Sequence, residues 1–266
     1  MRLELKLAIL SLLFFNFSCS PPQEEAVRTT ASASAYDAPS KWASISQFPL
    51  NMKISNQFED AEIDALNNTV DNWNDTENDF NYLSAQTTEL SNKSKLDAYN
   101  DNVMGIYKLS TWPNELPPTA LAVTQIFGTK KNVGKSNEYI KIEHADILIN
   151  YDYYTFKTGE DWGYDLETVV LHELGHLLGL YHNDTSSDES VMYPTISRYT
   201  LKTFPLEADI LNLQDKYSLQ AQADSFRVNQ AMDAIDEAYD EKVIVIHEIR
   251  ADGTEKTKIK KYSPRG

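Results

Sequence analysis

The chain has 266 residues, 41% hydrophobic and 11% aromatic, enough to bury a sizeable core in one main domain with an appendage. Its formal net charge of −16 argues against a nucleic-acid partner, since a phosphate backbone calls for clustered lysine and arginine. A single cysteine leaves no pair for a disulfide, so stability outside the cytoplasm would rest on packing and metal.

Residues 1–18 set Arg2 and Lys6 before an uncharged apolar run from Leu7 to Phe17, the pattern of a secretory signal peptide and too short to span a bilayer as a helix. Cys19 follows Ser18 and precedes Ser20-Pro21-Pro22, a setting that resembles a bacterial lipoprotein box. The expectation is an exported chain, lipidated at Cys19 and held on a membrane through that lipid as a bacterial outer-membrane or cell-surface lipoprotein. Simple cleavage to a periplasmic or secreted form is the alternative. Residues 19–40, with the lipidated cysteine at their head and then rich in Ser, Thr, Ala and Pro, read as a flexible tether.

The run Phe48–Ser55 is strand-like, and Asn56-x-x-Glu59 has the form of a capping box. Ile63, Leu66, Val70 and Trp73 then recur at helical spacing, which predicts a helix over 58–74 with Trp73 in the core. Strands are expected at Val103–Leu109, Ala120–Phe127 and Tyr139–Asn150, between Pro-rich and Gly/Lys-rich turns. Of these, Ala120–Phe127 is the preferred edge against which a peptide could add as an extra strand.

His172-Glu173-Leu174-Gly175-His176-Leu177-Leu178-Gly179-Leu180-Tyr181-His182 carries the chemistry. On a helix, His172 and His176 project side by side and can share one zinc ion, while Glu173 is offset by about 100° and can reach a metal-bound water without becoming a ligand. Gly179 can take φ > 0 and turn the chain so that His182 supplies a third ligand, leaving the fourth position open. Val170, Leu174 and Leu177 fall on the opposite face, so the leucines should meet a core and the histidines a cleft. Asp165 is a suitable N-cap for this helix. His144 and His247 have no partner at ligand spacing and read as structural.

The extended motif HExxHxxGxxH resembles the metzincin zinc endopeptidases, and three further segments resemble the matrixins among them. These are Val191-Met192-Tyr193-Pro194, Ala145–Asn150 and Leu206-Glu207-Ala208-Asp209-Ile210. The resemblance spans roughly residues 45 to 218 and implies an α/β (α+β) zincin-like fold. Its features would be a twisted mixed sheet of about five strands, an active-site helix and a mainly helical lower subdomain. It implies His172, His176 and His182 as ligands of one catalytic zinc, Glu173 as general base and acid, and Met192 as an apolar floor beneath the metal. Asn183 stands where matrixins usually have Ser or Thr, and Pro194-Thr195-Ile196 replaces the Pro-x-Tyr of their specificity pocket. His172 follows Asp146 by only 26 positions, too short an interval for their second zinc site. Tyr193 adjoins Met192 and so does not match the zinc-binding tyrosine of other metzincins. Asp146, Asp152, Asp161, Asp165, Asp184 and Asp188 could offer oxygens to calcium, but no spaced calcium loop supports that ion.

Leu206, Ile210, Leu213 and Tyr217 define a closing helix, and Val228, Met232, Ile235 and Tyr239 another. Val243–Ile249 and Glu255–Ile259 flank Ala251-Asp252-Gly253-Thr254, a hairpin signal whose lysines at 256, 258, 260 and 261 suit a solvated edge strand. The expected organisation is a signal peptide over 1–18, the tether, a catalytic domain over 41–220 and a helix-plus-hairpin appendage over 221–266 that packs on it. The expected function is a secreted or membrane-tethered zinc endopeptidase acting on proteins or peptides. The rival is a zinc-stabilised surface-binding lipoprotein without peptidase activity.

Overall fold

A computed structural model of the chain describes residues 39–262 except 79, 160–161, 184–187, 195, 218–239 and 252–254. The anticipated Cys19 lipid site, the tether up to residue 38 and the anticipated helix at 228–239 lie outside the described residues.

The chain builds a mixed sheet from β1 (Ser40–Trp42), β2 (Leu50–Ser55), β3 (Leu83–Thr88), β4 (Gly105–Leu109), β5 (Ala120–Lys131), β6 (Tyr139–Asn150), β9 (Glu241–Arg250) and β10 (Glu255–Lys261). Its order is β10-β9-β5-β6-β4-β2-β3, with β1 also pairing β6. Strands β3, β2, β4 and β6 run parallel, and β5 is antiparallel to β6. Five strands in a mixed sheet match the count that the resemblance implies, although β3 falls outside the strands that the sequence pattern predicts, and β1, β9 and β10 extend the sheet to eight. Two short strands, β7 (Phe156–Lys157) and β8 (Tyr164–Asp165), pair separately.

Among the described residues three α-helices accompany the sheet: α1 (Asp60–Asn74), α2 (Leu166–Leu177) and α3 (Glu207–Tyr217). The start of α1 lies later than Asn56-x-x-Glu59 suggests, for Glu59 is the N-cap and the Glu62 carboxylate accepts from its backbone N–H at 2.9 Å. The apolar spacing of α1 holds: Leu66, Val70 and Trp73 are buried, and Trp73 Nε1 donates to the Leu171 carbonyl at 3.0 Å. Helices α1 and α2 thus meet over one face of the sheet, in a core that includes Ile54, Ile126, Ile147 and Leu174. The opposite face is covered by Leu96, Tyr99, Trp112 and Leu116 from the segments between β3 and β5. Because both faces are covered, the middle of the sheet reads as near-continuous apolar sequence, as in Ala145–Asn150.

The hairpin signal near the C-terminus is real, with Glu255 opposite Ile249 and Lys261 opposite Val243. The preferred edge is not an edge. Strand β9 lies antiparallel along β5 from Ala120 to Lys130, so the backbone groups that a peptide would use are already paired. Val243 and Val245 enter the main core, and the exposed edge moves out to β10.

Truncating the indole at the junction of α1 and α2 should be costly. Trp73→Ala is expected to lower unfolding stability by about 3–5 kcal/mol, read from the urea midpoint at unchanged slope.

Candidate metal centre

Helix α2 begins where Asp165 accepts hydrogen bonds from Thr168 N at 2.8 Å and Thr168 Oγ1 at 2.7 Å, the N-cap expected from sequence. It ends at Gly179, whose φ of +87° suits a residue without a side chain. A Cβ there would lie 2.5 Å from the Ser40 carbonyl oxygen of β1, so the close approach of β1 forbids any larger residue. The turn returns Leu180 N to the Gly175 carbonyl at 2.8 Å and leads the chain towards His182.

The three motif histidines converge. His176 Nε2 lies 3.0 Å and His182 Nε2 3.3 Å from His172 Nε2. His172 Nδ1 donates to the Val191 carbonyl and His176 Nδ1 to the Leu180 carbonyl, each at 2.9 Å. Those bonds place the ring protons on Nδ1 and leave the Nε2 lone pairs facing one another. Lone pairs so close repel unless something positive lies between them. Zinc bonded to imidazole nitrogen at about 2.0–2.1 Å in tetrahedral geometry sets its ligands about 3.3 Å apart, so the donor set fits that ion. Among the described residues this is the cluster of histidine and carboxylate side chains able to hold a metal.

Glu173 completes the fit. Its Oε2 accepts from Thr124 Oγ1 of β5, while its fully buried Oε1 has no partner. Such an oxygen is costly unless water or an ion meets it. Burial pushes the Glu173 carboxyl up to about 8, against the opposing pull of Thr124. Burial also drives His172 down to about 4, and His176 and His182 well below the usual imidazole value, the neighbouring imidazoles adding to the effect on the last two. The imidazoles are therefore neutral, as ligands must be.

Met192 lies under the helix. A Cβ added at Gly175 would come within 2.2 Å of its sulfur, so the glycine inside the motif lets the methionine pack against α2. The turn carrying Met192 is held by Asp209 of α3, which the sequence marked only as part of a family-like segment. Its buried carboxylate accepts from Ser190 Oγ, from Val191 N at 2.8 Å and from Leu206 N at 3.0 Å. Asn183 N donates to the Met192 carbonyl at 2.9 Å, tying the stretch after His182 to the same turn.

The histidines were expected to face a cleft, but His172 and Glu173 have 0% exposure. Strand β9 covers them. His247 was expected to be structural and apart from the motif, yet its ring stacks on His176 with centroids 4.1 Å apart and planes 6° apart, and lies 6.0 Å from the His182 ring. Linear spacing hid this because a sheet partner, not the local helix, delivers it. Ile249, two residues on, packs with Leu121, Ala122, Tyr164, Val169 and Ile196. An open cleft of about 690 Å³ is lined by the half-buried His182 together with Lys41, Tyr181, Asn183 and Lys216, so it meets the metal centre only at its third histidine.

Other anticipated residues have ordinary duties. His144 Nε2 lies 2.8 Å from both the Tyr99 carbonyl and Asp146 Oδ2, the structural place foreseen for it. Asp146 also accepts from Gly105 N, and Asp152 from Trp112 N. Asp161 and Asp184 lie outside the described residues.

The sequence profile of the matrixin family matches residues 23–221. Human matrix metalloproteinase-26 is 37% identical over 78 residues, 29% of this chain and 29% of that protein. Metalloendoproteinase 2-MMP of Arabidopsis thaliana is 47% identical over 53 residues, covering 20% of this chain and 14% of its own length. Metalloendoproteinase 1 of Glycine max is 44% identical over 57 residues, 21% of this chain and 18% of that protein. The chain thus spans less than a third of the length of each of these curated relatives.

Removing the anchor of the methionine turn tests its role. Asp209→Ala leaves three donors without an acceptor and is expected to lower stability by about 2–5 kcal/mol in urea unfolding, with zinc affinity falling as Val191 loosens from His172.

Proposed function

Because the chain belongs to the matrixin family, we propose that it is a zinc-dependent endopeptidase that hydrolyses internal peptide bonds of protein or peptide substrates. The observation that carries this reading is the convergence of three Nε2 atoms beside a buried glutamate with one unpartnered oxygen. His172, His176 and His182 would hold the ion. When bound, zinc supplies Lewis acidity, brings the pKa of water towards about 7 and by its charge favours the ionised form of Glu173, which burial alone raises to about 8.

The protein groups then divide the remaining work. Glu173 Oε1 takes the proton of the attacking water and returns it to the leaving nitrogen, while Thr124 fixes the carboxylate through Oε2. The Val191 and Leu180 carbonyls keep the ligand rings turned inward. Met192 fills the floor beneath them, and Val169, Tyr164 and Ile196, which pack round Ile249, would offer an apolar seat to a substrate side chain in its place.

Residues 1–18 we read as an export signal and Cys19 as a lipid attachment point that holds the enzyme on a bacterial outer membrane or cell surface. Cys19→Ser is expected to move the protein from the detergent phase to the aqueous phase on phase separation. An unchanged partition would refute the lipid anchor.

Since β9 covers the site, the catalytic test uses a chain in which His247 and Ile249 are both replaced by Ala. Loaded with zinc, this form is expected to cut unfolded proteins, and adding Glu173→Gln should lower the rate by about 10²–10⁴-fold while zinc stays near one per chain. Equal rates with and without Glu173, or no cleavage by the zinc-loaded form, would favour a zinc-stabilised binding protein instead. Chelation should abolish cleavage and lower the melting temperature together, and zinc should restore both.

A further inference from the structure

We propose that the C-terminal hairpin is a built-in occupant of the peptide cleft, so that substrate reaches Glu173 only when β9 leaves β5. This rests on the endopeptidase reading and adds its regulation. Three observations place β9 where a substrate would lie. It is hydrogen-bonded antiparallel along β5, with His247 opposite Thr124, the residue whose hydroxyl meets the Glu173 carboxylate. A strand added there passes directly beside Glu173. His247 and Ile249, two apart and so on one face of the strand, turn towards α2, one against the metal imidazoles and the other into the apolar cluster of Tyr164, Val169 and Ile196. Finally, the covered residues His172, Glu173 and His176 are at most 1% exposed, so no peptide bond can approach them while β9 remains.

The hairpin resembles a ligand in how it is held together. Its internal bonds are its own: the buried Glu248 carboxylate takes Arg250 Nη2 at 2.7 Å and also Lys258 Nζ, and His247 Nδ1 lies 3.1 Å from Thr257 Oγ1. These travel with it if it leaves. What it gives up is larger: the β5 ladder, the Lys242–Glu143 and Lys131–Asp240 ion pairs, the Tyr164 hydroxyl bond to the Ala251 carbonyl, the Ala251 N–H bond to the Thr119 carbonyl, the Asn100–Tyr262 hydrogen bond, and the seats of Val243, Val245 and Ile249 on one face and of Ile244 and Ile246 on the other. The His247 imidazole, stacked on His176, occupies the space beside the metal nitrogens.

A permanent scaffold role for β9 would force substrate onto the free edge of β10. Strands lie about 4.8 Å apart, so a peptide added there would be displaced about 10 Å from the place β9 now holds, beyond the reach of Glu173.

The test fastens the hairpin. Lys130 and Glu241 are neighbours across β5 and β9, at a spacing that a disulfide can bridge. In the full zinc-loaded chain with Cys19→Ser, Lys130→Cys with Glu241→Cys is compared oxidised and reduced for binding of an extended peptidyl hydroxamate. Acetohydroxamate, too small to need the strand edge, serves as control. The expected result is peptide affinity at least roughly tenfold weaker when oxidised and restored by reduction. Hydrogen exchange adds a second readout: in the reduced form, peptide binding should deprotect β9 amides while β5 amides stay protected. His247→Ala with Ile249→Ala should tighten peptide binding by a similar factor. Equal peptide affinity of the oxidised and reduced forms, or β9 amides that stay protected in the peptide complex, would overturn the hairpin proposal and leave the peptidase reading standing. Zinc-loaded forms that bind neither hydroxamate would overturn both.

Discussion

Two backbone carbonyls, those of Leu180 and Val191, do more to define this molecule than any side chain. Each accepts an Nδ1–H, and so turns an imidazole until its Nε2 meets the other two. Imidazoles on adjacent turns of a helix have many rotamers, of which few share a focus. Selecting that one requires carbonyls fixed to within fractions of an ångström, and the rest of the fold supplies the fixing. Leu180 is placed by the left-handed Gly179 and by β1, which approaches so closely that only a glycine fits. Val191 is placed by Asp209, so a carboxylate on α3 orients a ligand on α2 through the main chain between them. The same Asp209 seats Met192 through Ser190, and Gly175 leaves the room that its sulfur fills.

Strand β5 serves two needs that pull against each other. It must be a well-ordered strand, because Thr124 steadies Glu173 from it. It must also present unpaired backbone on its outer side if a peptide is to lie along it. Unpaired strand edges invite association with other chains, and proteins cover them. Here the cover comes from the end of the same chain and carries its own lysine-bearing outer strand, β10. Covering the edge removes that hazard and closes the metal centre in one stroke. Access to Glu173 is then an equilibrium between β9 and a competing peptide for one ladder of hydrogen bonds.

How much of this was visible in the sequence depends on how local each cause is. The helix of the zinc motif, its Asp165 cap and the turn at Gly179 are set within a dozen residues, and each is found where the pattern put it. The same holds for β6, whose twelve residues match to the residue. Strand β3 was missed because Leu83–Thr88 is a half-exposed, polar edge with one buried leucine, held mainly by the backbone of β2. Strand β1 was hidden by its length, for three residues carry no period. The signal at Asn56-x-x-Glu59 misled for a related reason: Asn56 is engaged by the backbone of Thr88, and Glu59 caps the helix instead. Asp209, His247 and Ile249 act on the site from distant parts of the chain, and spacing along a sequence does not measure distance across a sheet. A cue existed in the continuous apolar run Val243–Ile246 leading into His247, the mark of a strand buried on both faces and so of a histidine delivered into the interior.

The central claim is a zinc centre closed by the chain's own last hairpin. Crystals of the full chain grown with zinc and measured on both sides of its absorption edge address this directly. The account predicts one strong anomalous peak, within about 2.1 Å of the Nε2 atoms of His172, His176 and His182, with β9 lying along β5 above it. A peak elsewhere, none at those nitrogens, or a metal centre open to solvent with the hairpin apart from β5 would contradict it.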